Sequence, residues 1–217
     1  MTQASLTEEI TTFQNKFIPT IPEETLNLLM SELKTLIALG MAEQAIKVGD
    51  TFPTFSLANA NESAVSLSTL LKDGPLVISF YRGAWCPYCN LEINALQNHL
   101  TDIQATGAQL VAISPQTPDK SNDQVSASKL TFDVLSDTDN QLAKQCGLVF
   151  TLPESLRPIY ADWQLDIPGH NGDDTFELPM PATFIIGTDG LVKYAFIDMD
   201  YTKRLEPEII IKQLKAL

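Results

Sequence analysis

The strongest constraint on this chain is a junction. Pro75 to Tyr81 is an apolar run broken only by Ser79, and soon after it stands Trp85-Cys86-Pro87-Tyr88-Cys89, which leads into a helical pattern through Ile93, Leu96 and Leu100. A short apolar run of this kind reads as a strand buried on both faces, as found in sheets covered by helices. A buried strand feeding a helix is half of a βαβ unit, so the chain is predicted to be α/β, with a central sheet flanked by helices. If Pro87 is the first helical residue, its missing N–H costs nothing. Cys86 then sits at the N-cap, where the free N–H groups of Tyr88 and Cys89 and the positive end of the helix dipole favour a thiolate. A thiol with a pKa of about 8.5 is only ~3% ionised at pH 7, whereas one lowered to about 7 is half ionised. Cys86 is therefore expected to be exposed and attacking. Cys89, one turn inside and facing the core, is expected to resolve. An N-cap residue leaves regular helical geometry, which lets the two thiols close to a disulfide. Trp85 is expected to lie beside them as an apolar lid.

The chain has three cysteines, Cys86, Cys89 and Cys146, in 217 residues. That is too few for a disulfide framework, and C-x-x-C inside a βαβ pattern reads as redox chemistry. Half a zinc site and a pair of inert buried thiols are the competing readings. A second cysteine pair is missing, however, and Cys146, His99 and His170 show no metal-ligand spacing. The chemistry calls for no cofactor. The net charge of −13 repels phosphate backbones and anionic membranes, so neither nucleic acid nor membrane is expected as a partner. The start, Met1 to Phe17, carries Glu8 and Glu9 and lacks the blocks of a secretory signal. No apolar stretch is long enough to span a bilayer. A reducing cytoplasm is the default compartment.

The length suits one domain with an added segment. Residues 1–44 are expected to form an N-terminal helical extension and residues 45–217 the redox domain. Pro22-Glu23-Glu24 opens a helix whose apolar stripe is Leu26, Leu29, Met30, Leu33 and Ile37, and Gly40 stops it. The stripe must bury on the main domain or on a second subunit, which leaves a homodimer open. Further on, short strands are predicted at Thr54–Leu57 and Ala64–Leu67, and Ser68 is expected to cap a short helix. Strands follow at Ala108–Ile113 and Phe132–Leu135, with helices over Lys120–Ser128 and Asn140–Cys146. Pro181–Ile186 and Val192–Ile197 flank the turn signal Thr188-Asp189-Gly190, which makes the sheet mixed. Glu206–Leu217 closes the chain as a helix.

Cys86-Pro87-Tyr88-Cys89 resembles the glutaredoxin motif, and the preceding Trp85 is similar to thioredoxin. The rest resembles the peroxiredoxins of the alkyl hydroperoxide reductase and thiol-specific antioxidant family. The matching stretches are Val48-Gly49-Asp50-Thr51-Phe52-Pro53, Val77 to Tyr81, Leu110 to Pro115, Leu130 to Leu148, and Pro181 to Ile186 with Asp189-Gly190. Tyr81 to Asn90 and Asp200-Tyr201-Thr202-Lys203-Arg204 look like a bacterial peroxiredoxin-like group with C-x-x-C. The resemblance implies a thioredoxin-like fold with a mixed sheet.

The departures from the family bear on function. Peroxiredoxins carry Pro-x-x-x-Thr/Ser-x-x-Cys. On that spacing Arg82 replaces the proline and Cys86 the threonine, while Cys89 falls on the peroxidatic cysteine and Glu92 also matches. The spacing thus points to Cys89 as the attacking thiol and the helix geometry to Cys86; the order stays open. The family's arginine aligns near Pro181-Ala182 and is missing there. Met180-Pro181 instead resembles the cis-proline of thioredoxins, so a cis bond against the dithiol is expected, with Pro181 catalytic and Trp85, Tyr88 and Met180 contacting substrate. Phe80 takes the place of thioredoxin's buried acid.

Other residues carry weaker signals. Arg82 either stabilises a thiolate or leaving oxygen, or is a surface residue or a partner for an acidic loop. Glu92 is either a solvated charge or a proton carrier for Cys89. Cys146 reads as a small core residue, His170 has no evident partner, and Asn171-Gly172-Asp173-Asp174 reads as an exposed turn rather than a calcium loop. The first functional expectation is a peroxidase for hydrogen peroxide and organic hydroperoxides, re-reduced by a thioredoxin- or glutaredoxin-type donor. The alternatives are a general thiol–disulfide oxidoreductase acting on disulfides and a redox-sensing binding protein.

Overall fold

The computed structural model describes residues 4–217. Helix α1 (Leu6–Phe17) opens it, followed by α2 (Glu23–Ala38) and the single turn α3 (Met41–Gln44). Helix α1 begins on a capping box. The Ser5 side chain accepts from the Glu8 N–H, and the Glu8 carboxylate accepts from the Ser5 N–H, which satisfies two donors that a helix start leaves unpaired. Glu8 and Glu9, which argued only against a secretory signal, are thus first-turn helix residues. Helix α2 ends as expected, with Gly40 left-handed at φ 63°. The α2 stripe is only partly buried: Leu29 is covered, whereas Met30 and Ile37 lie in solvent.

The main body continues with β1 (Ser56–Asn59), β2 (Ala64–Ser66), α4 (Leu67–Leu70), β3 (Leu76–Phe80), α5 (Pro87–Asn98) and α6 (Leu100–Gln104). Next come β4 (Gln109–Ser114), α7 (Pro118–Ser128), β5 (Asp133–Ser136), α8 (Gln141–Gln145) and β6 (Val149–Thr151). Two short helices, α9 (Arg157–Asp162) and α10 (Ile167–Asn171), then lead to β7 (Glu177–Pro179), β8 (Ala182–Ile186), β9 (Val192–Ile197) and α11 (Pro207–Leu214). The cap of α4 is Ser66 rather than Ser68: its side chain accepts from the Thr69 N–H. Ser66 already ends β2, so strand end and helix cap are one residue.

The seven-stranded sheet runs β2-β1-β5-β4-β3-β8-β9. Strands β3, β4 and β5 pair in parallel, and the other pairs are antiparallel. Every residue of β3 is buried, as its apolar run requires. The sheet is mixed because β8 and β9 form the predicted hairpin. A separate two-stranded sheet, β6 with β7, encloses α9 and α10 between its strands in the chain, a region for which the sequence carried no clear periodic signal. The first helix lies against α5. Glu206, at the N-cap of α11, accepts hydrogen bonds from the backbone N–H groups of Leu6 and Thr7 at 3.1 and 2.7 Å, which fastens the start of α1 to the last helix.

Candidate active site

The site lies where β3 ends and α5 begins, at the carboxyl ends of the parallel strands, where open α/β sheets place their ligands. The turn between them needs a glycine. Gly83 has φ 142°, and a Cβ there would lie 2.5 Å from the Trp85 indole nitrogen. The Ala84 N–H donates to Gln116 Oε1 at 2.8 Å, and Asn90 Nδ2 donates to the Ala84 carbonyl at 2.7 Å. The loop is thus pinned from both sides. His170, expected to lack a partner, meets Gln116 Oε1 through Nδ1 at 3.0 Å.

Cys86 is the N-cap of α5 and Pro87 its first residue, as the sequence predicts. Two expectations fail. Cys86 makes no side-chain capping bond; its Sγ instead accepts from Arg82 Nη2 at 3.1 Å. Nor is it exposed: its accessible surface is 0%. A guanidinium, with full charge and aimed donors, outcompetes two backbone N–H groups for the sulfur, and the aromatic residues around the loop close over it. Burial alone would push the Cys86 thiol up, but the hydrogen bond with Cys89 and the charges of Arg82 and Arg204 hold it well below the usual thiol range. Burial and the neighbouring Cys86 push Cys89 well above that range. Both cysteines are free thiols in this structure.

The second thiol has its own guanidinium. Arg204 Nη2 donates to Cys89 Sγ at 3.3 Å, and Nη1 donates to the carbonyls of Lys203 and Tyr201. Its Nε stands 2.7 Å from Glu92 Oε2, with both side chains almost wholly buried. Glu92, one turn after Cys89, is therefore no solvated charge. Burial pushes its carboxyl up to about 7 even though Arg204 pulls the other way. Arg204 was visible in the sequence only as part of Asp200–Arg204; nothing in its spacing ties it to Cys89. Cys146 is fully buried, and burial holds its thiol up at about 12.

Among the described residues there is no cis peptide bond, so Met180–Pro181 is trans. The Met180 N–H donates to the Leu148 carbonyl at 2.8 Å. The Met180 N–H is thus taken by the chain itself rather than free to pair with a substrate backbone. Met180 and Pro181 are buried and lie outside the walls of the cavity at the site. The structure does bring together Arg82, Trp85, Cys86, Tyr88 and Cys89.

That cavity holds about 450 Å³ and is walled mostly by aromatic rings, together with Arg82, Pro87 and Leu165. The ring contacts form a closed circuit. Phe13 stacks on Phe17, Phe17 meets Trp163, Trp163 stacks on Tyr160, and Tyr160 meets Trp85. The Arg82 guanidinium lies over both Trp85 and Tyr201, at 4.9 and 4.0 Å from the ring centroids. Tyr201 then meets Tyr88, which meets Phe13.

A mixed sheet of this order, carrying an acidic thiol at the mouth of its buried strand and a second thiol one turn on, defines a thiol oxidoreductase of thioredoxin-like fold. The chain belongs to the AhpC/TSA family, whose model matches residues 48–195. It is 33% identical over 103 residues to a Haemophilus influenzae peroxiredoxin, bcp, a match spanning 48% of this chain and 66% of the relative. To Peroxiredoxin Bcp of Escherichia coli it is 25% identical over 154 residues, or 70% and 86% of the two chains. Peroxidoxin BcpB from Mycobacterium tuberculosis shares the fold, with a TM-score of 0.63 at 24% identity over 79% of this chain and 98% of that one. Helix α1, Tyr201 and Arg204 all lie outside the matched residues.

Proposed function

We propose that the chain is a thiol peroxidase in which Cys86 attacks and Cys89 resolves. The Cys86 thiolate attacks one oxygen of a hydroperoxide and the O–O bond breaks. The departing alkoxide or hydroxide takes a proton, leaving Cys86 as a sulfenic acid. Cys89 then attacks the Cys86 sulfur; hydroxide leaves and, with the Cys89 proton, departs as water, giving the Cys86–Cys89 disulfide. A dithiol donor of thioredoxin or glutaredoxin type reduces that disulfide through a mixed disulfide. Arg82 serves twice, holding the thiolate and then the charge that develops on the leaving oxygen. Arg204 faces the thiol that must ionise second.

The observation that carries this reading is the buried Arg82 Nη2–Cys86 Sγ contact of 3.1 Å. It gives a charged nucleophile that is itself buried, beside a cavity open to solvent. A small oxidant can enter such a site. Cys86 Sγ has no exposed surface, so a small oxidant reaches it with less rearrangement than a protein disulfide, and the dithiol donor has to open the site to reach the Cys86–Cys89 pair. Among the described residues no helix is long and apolar enough to cross a membrane, and a cycle that needs a reduced donor fits a reducing cytoplasm. Residues 1–44 serve in this reading as an added helical segment on the redox domain.

The test is a parallel assay of hydrogen peroxide, an organic hydroperoxide and a protein disulfide, in wild-type protein and in Arg82→Ala. We expect peroxide turnover, lowered about 10²–10³-fold by the substitution, and a much smaller loss of any disulfide reduction. Disulfide reduction without peroxide turnover would replace the peroxidase reading with the oxidoreductase one.

A further inference from the structure

We infer that the aromatic cavity is a binding site for the organic group of a bulky hydroperoxide, and that Phe13 and Phe17 of the first helix set this preference. The inference rests on the peroxidase reading and narrows its substrate to an aryl or branched hydrocarbon hydroperoxide over hydrogen peroxide.

Three features carry it. The first is continuity with the chemistry. Arg82 lies in the cavity wall and donates to Cys86 Sγ, so a peroxide group pointing toward Arg82 has its hydrocarbon end among the rings. The second is size and character. A cavity of about 450 Å³ falls within the ~300–1,000 Å³ typical of small-molecule pockets, whereas hydrogen peroxide fills only a small part of such a space and offers no apolar surface to aromatic walls. The third is origin. Phe13 and Phe17 come from a helix that precedes the residues matching the family. They close the wall by edge contact with Tyr88 at 5.2 Å and with Trp163 at 5.5 Å. This part of the wall thus lies outside the residues that match the family model. A planar ring can insert edge-on or offset against such neighbours, the geometries aromatic pairs favour.

The cavity also carries its own reporter. The chain has two tryptophans, Trp85 and Trp163, and both line the cavity. Cumyl alcohol, the product expected from cumene hydroperoxide, should change the tryptophan fluorescence of the reduced protein saturably, whether or not any turnover occurs.

The test combines that titration with kinetics. For wild-type protein we expect kcat/KM for cumene hydroperoxide to exceed that for hydrogen peroxide by at least about tenfold, the discrimination a single well-packed hydrocarbon group can supply. Phe13→Ala and the milder Phe17→Leu should lower kcat/KM for cumene hydroperoxide about tenfold more than for hydrogen peroxide, and should weaken alcohol binding in parallel. Equal kcat/KM for the two peroxides in wild-type protein, with no saturable fluorescence change, would overturn the inference without needing either variant to fold. Absence of turnover with every peroxide would remove the peroxidase reading, while saturable alcohol binding in that same protein would still support the cavity as a site for the organic group.

Discussion

The molecule contains two buried cysteine–arginine contacts of nearly equal length, Arg82 on Cys86 at 3.1 Å and Arg204 on Cys89 at 3.3 Å, yet the two thiols are driven in opposite directions. The difference lies first in the pair itself: once Cys86 carries the charge, burial and that neighbouring thiolate hold Cys89 protonated. The two guanidiniums also differ in their company: Arg204 is paired with Glu92. Arg82 is held between the rings of Trp85 and Tyr201 and donates weakly to the Tyr160 hydroxyl at 3.4 Å; the groups acting on its charge are thiols and phenols, none of them a carboxylate. A nearby cation lowers a pKa through its uncompensated charge. A cation beside each cysteine is therefore not enough to make both acidic, because two thiols in contact ionise one before the other.

The sharpest way to break this asymmetry is to remove one thiol at a time. Cys86→Ser should abolish turnover, whereas Cys89→Ser should still permit one stoichiometric attack, read as sulfenic acid by single-turnover trapping. Sulfenic acid forming on Cys89 in the Cys86→Ser protein would reverse the assignment and favour the peroxiredoxin spacing.

Exchanging the arginines is the next test. Arg82→Met should slow the first attack at pH 7 by about 10²–10³. The reactive thiolate exists above its pKa and is lost as pH falls through it. The acid limb of the wild-type rate profile should therefore lie well below that of the variant, whose limb moves up to at least the free-thiol value of about 8.5. Arg204→Met should leave the first attack within about tenfold and slow disulfide closure instead, a split visible by stopped-flow fluorescence. Equal effects of the two substitutions on the first step would erase the distinction between the pairs.

Glu92 offers a thermodynamic test. Its folded-state value of about 7 lies above the ordinary 4.5, so between those values the folded chain keeps a proton that the unfolded chain releases. Stability from this group is full below about 4.5 and falls as pH rises through about 7, by at most about 3 kcal/mol. Urea unfolding across that range should show the decline in wild-type protein and a flatter dependence in Glu92→Gln. The variant should also leave Arg204 unpaired and make Cys89 more acidic, which thiol alkylation against pH would read. The smallest effect is expected at Cys146. Mild oxidation should join Cys86 to Cys89 and leave Cys146 free, so Cys146→Ala should not alter the number of peroxide-sensitive thiols counted by peptide mapping.

What the sequence revealed follows from how local each signal is. The buried strand, the N-cap cysteine, Pro87 at the first helical position and the β8–β9 hairpin are each written in one short stretch of chain, and each stands where the pattern placed it. Arg204 meets Cys89 only after β9 and the loop behind it have folded, and no periodicity records such a meeting. Glu92 looks like a surface charge in sequence because nothing nearby reveals that a cation from the far end of the chain will cover it. Cys86 reads as exposed because the Arg82 guanidinium on its sulfur is held over the Tyr201 ring, which arrives only with the far end of the chain. The bond before Pro181 follows from tertiary placement, with the Met180 N–H taken by Leu148, and a dipeptide cannot foretell that.

The carboxylate of Glu206 has a consequence for how the molecule breathes. It grips the opening N–H groups of α1 while standing at the head of α11, so the first and last helices form one latch. Leu6 and Ile10 are the only residues of α1 whose side chains are buried, which places this helix toward the low-stability end of the structure. In the peroxidase reading, release of this latch frees the wall formed by Phe13 and Phe17 and is the expected route by which an electron donor reaches the disulfide. Amide protons of α1 and of the first turn of α11 should then exchange as a single unit, ahead of those in β3.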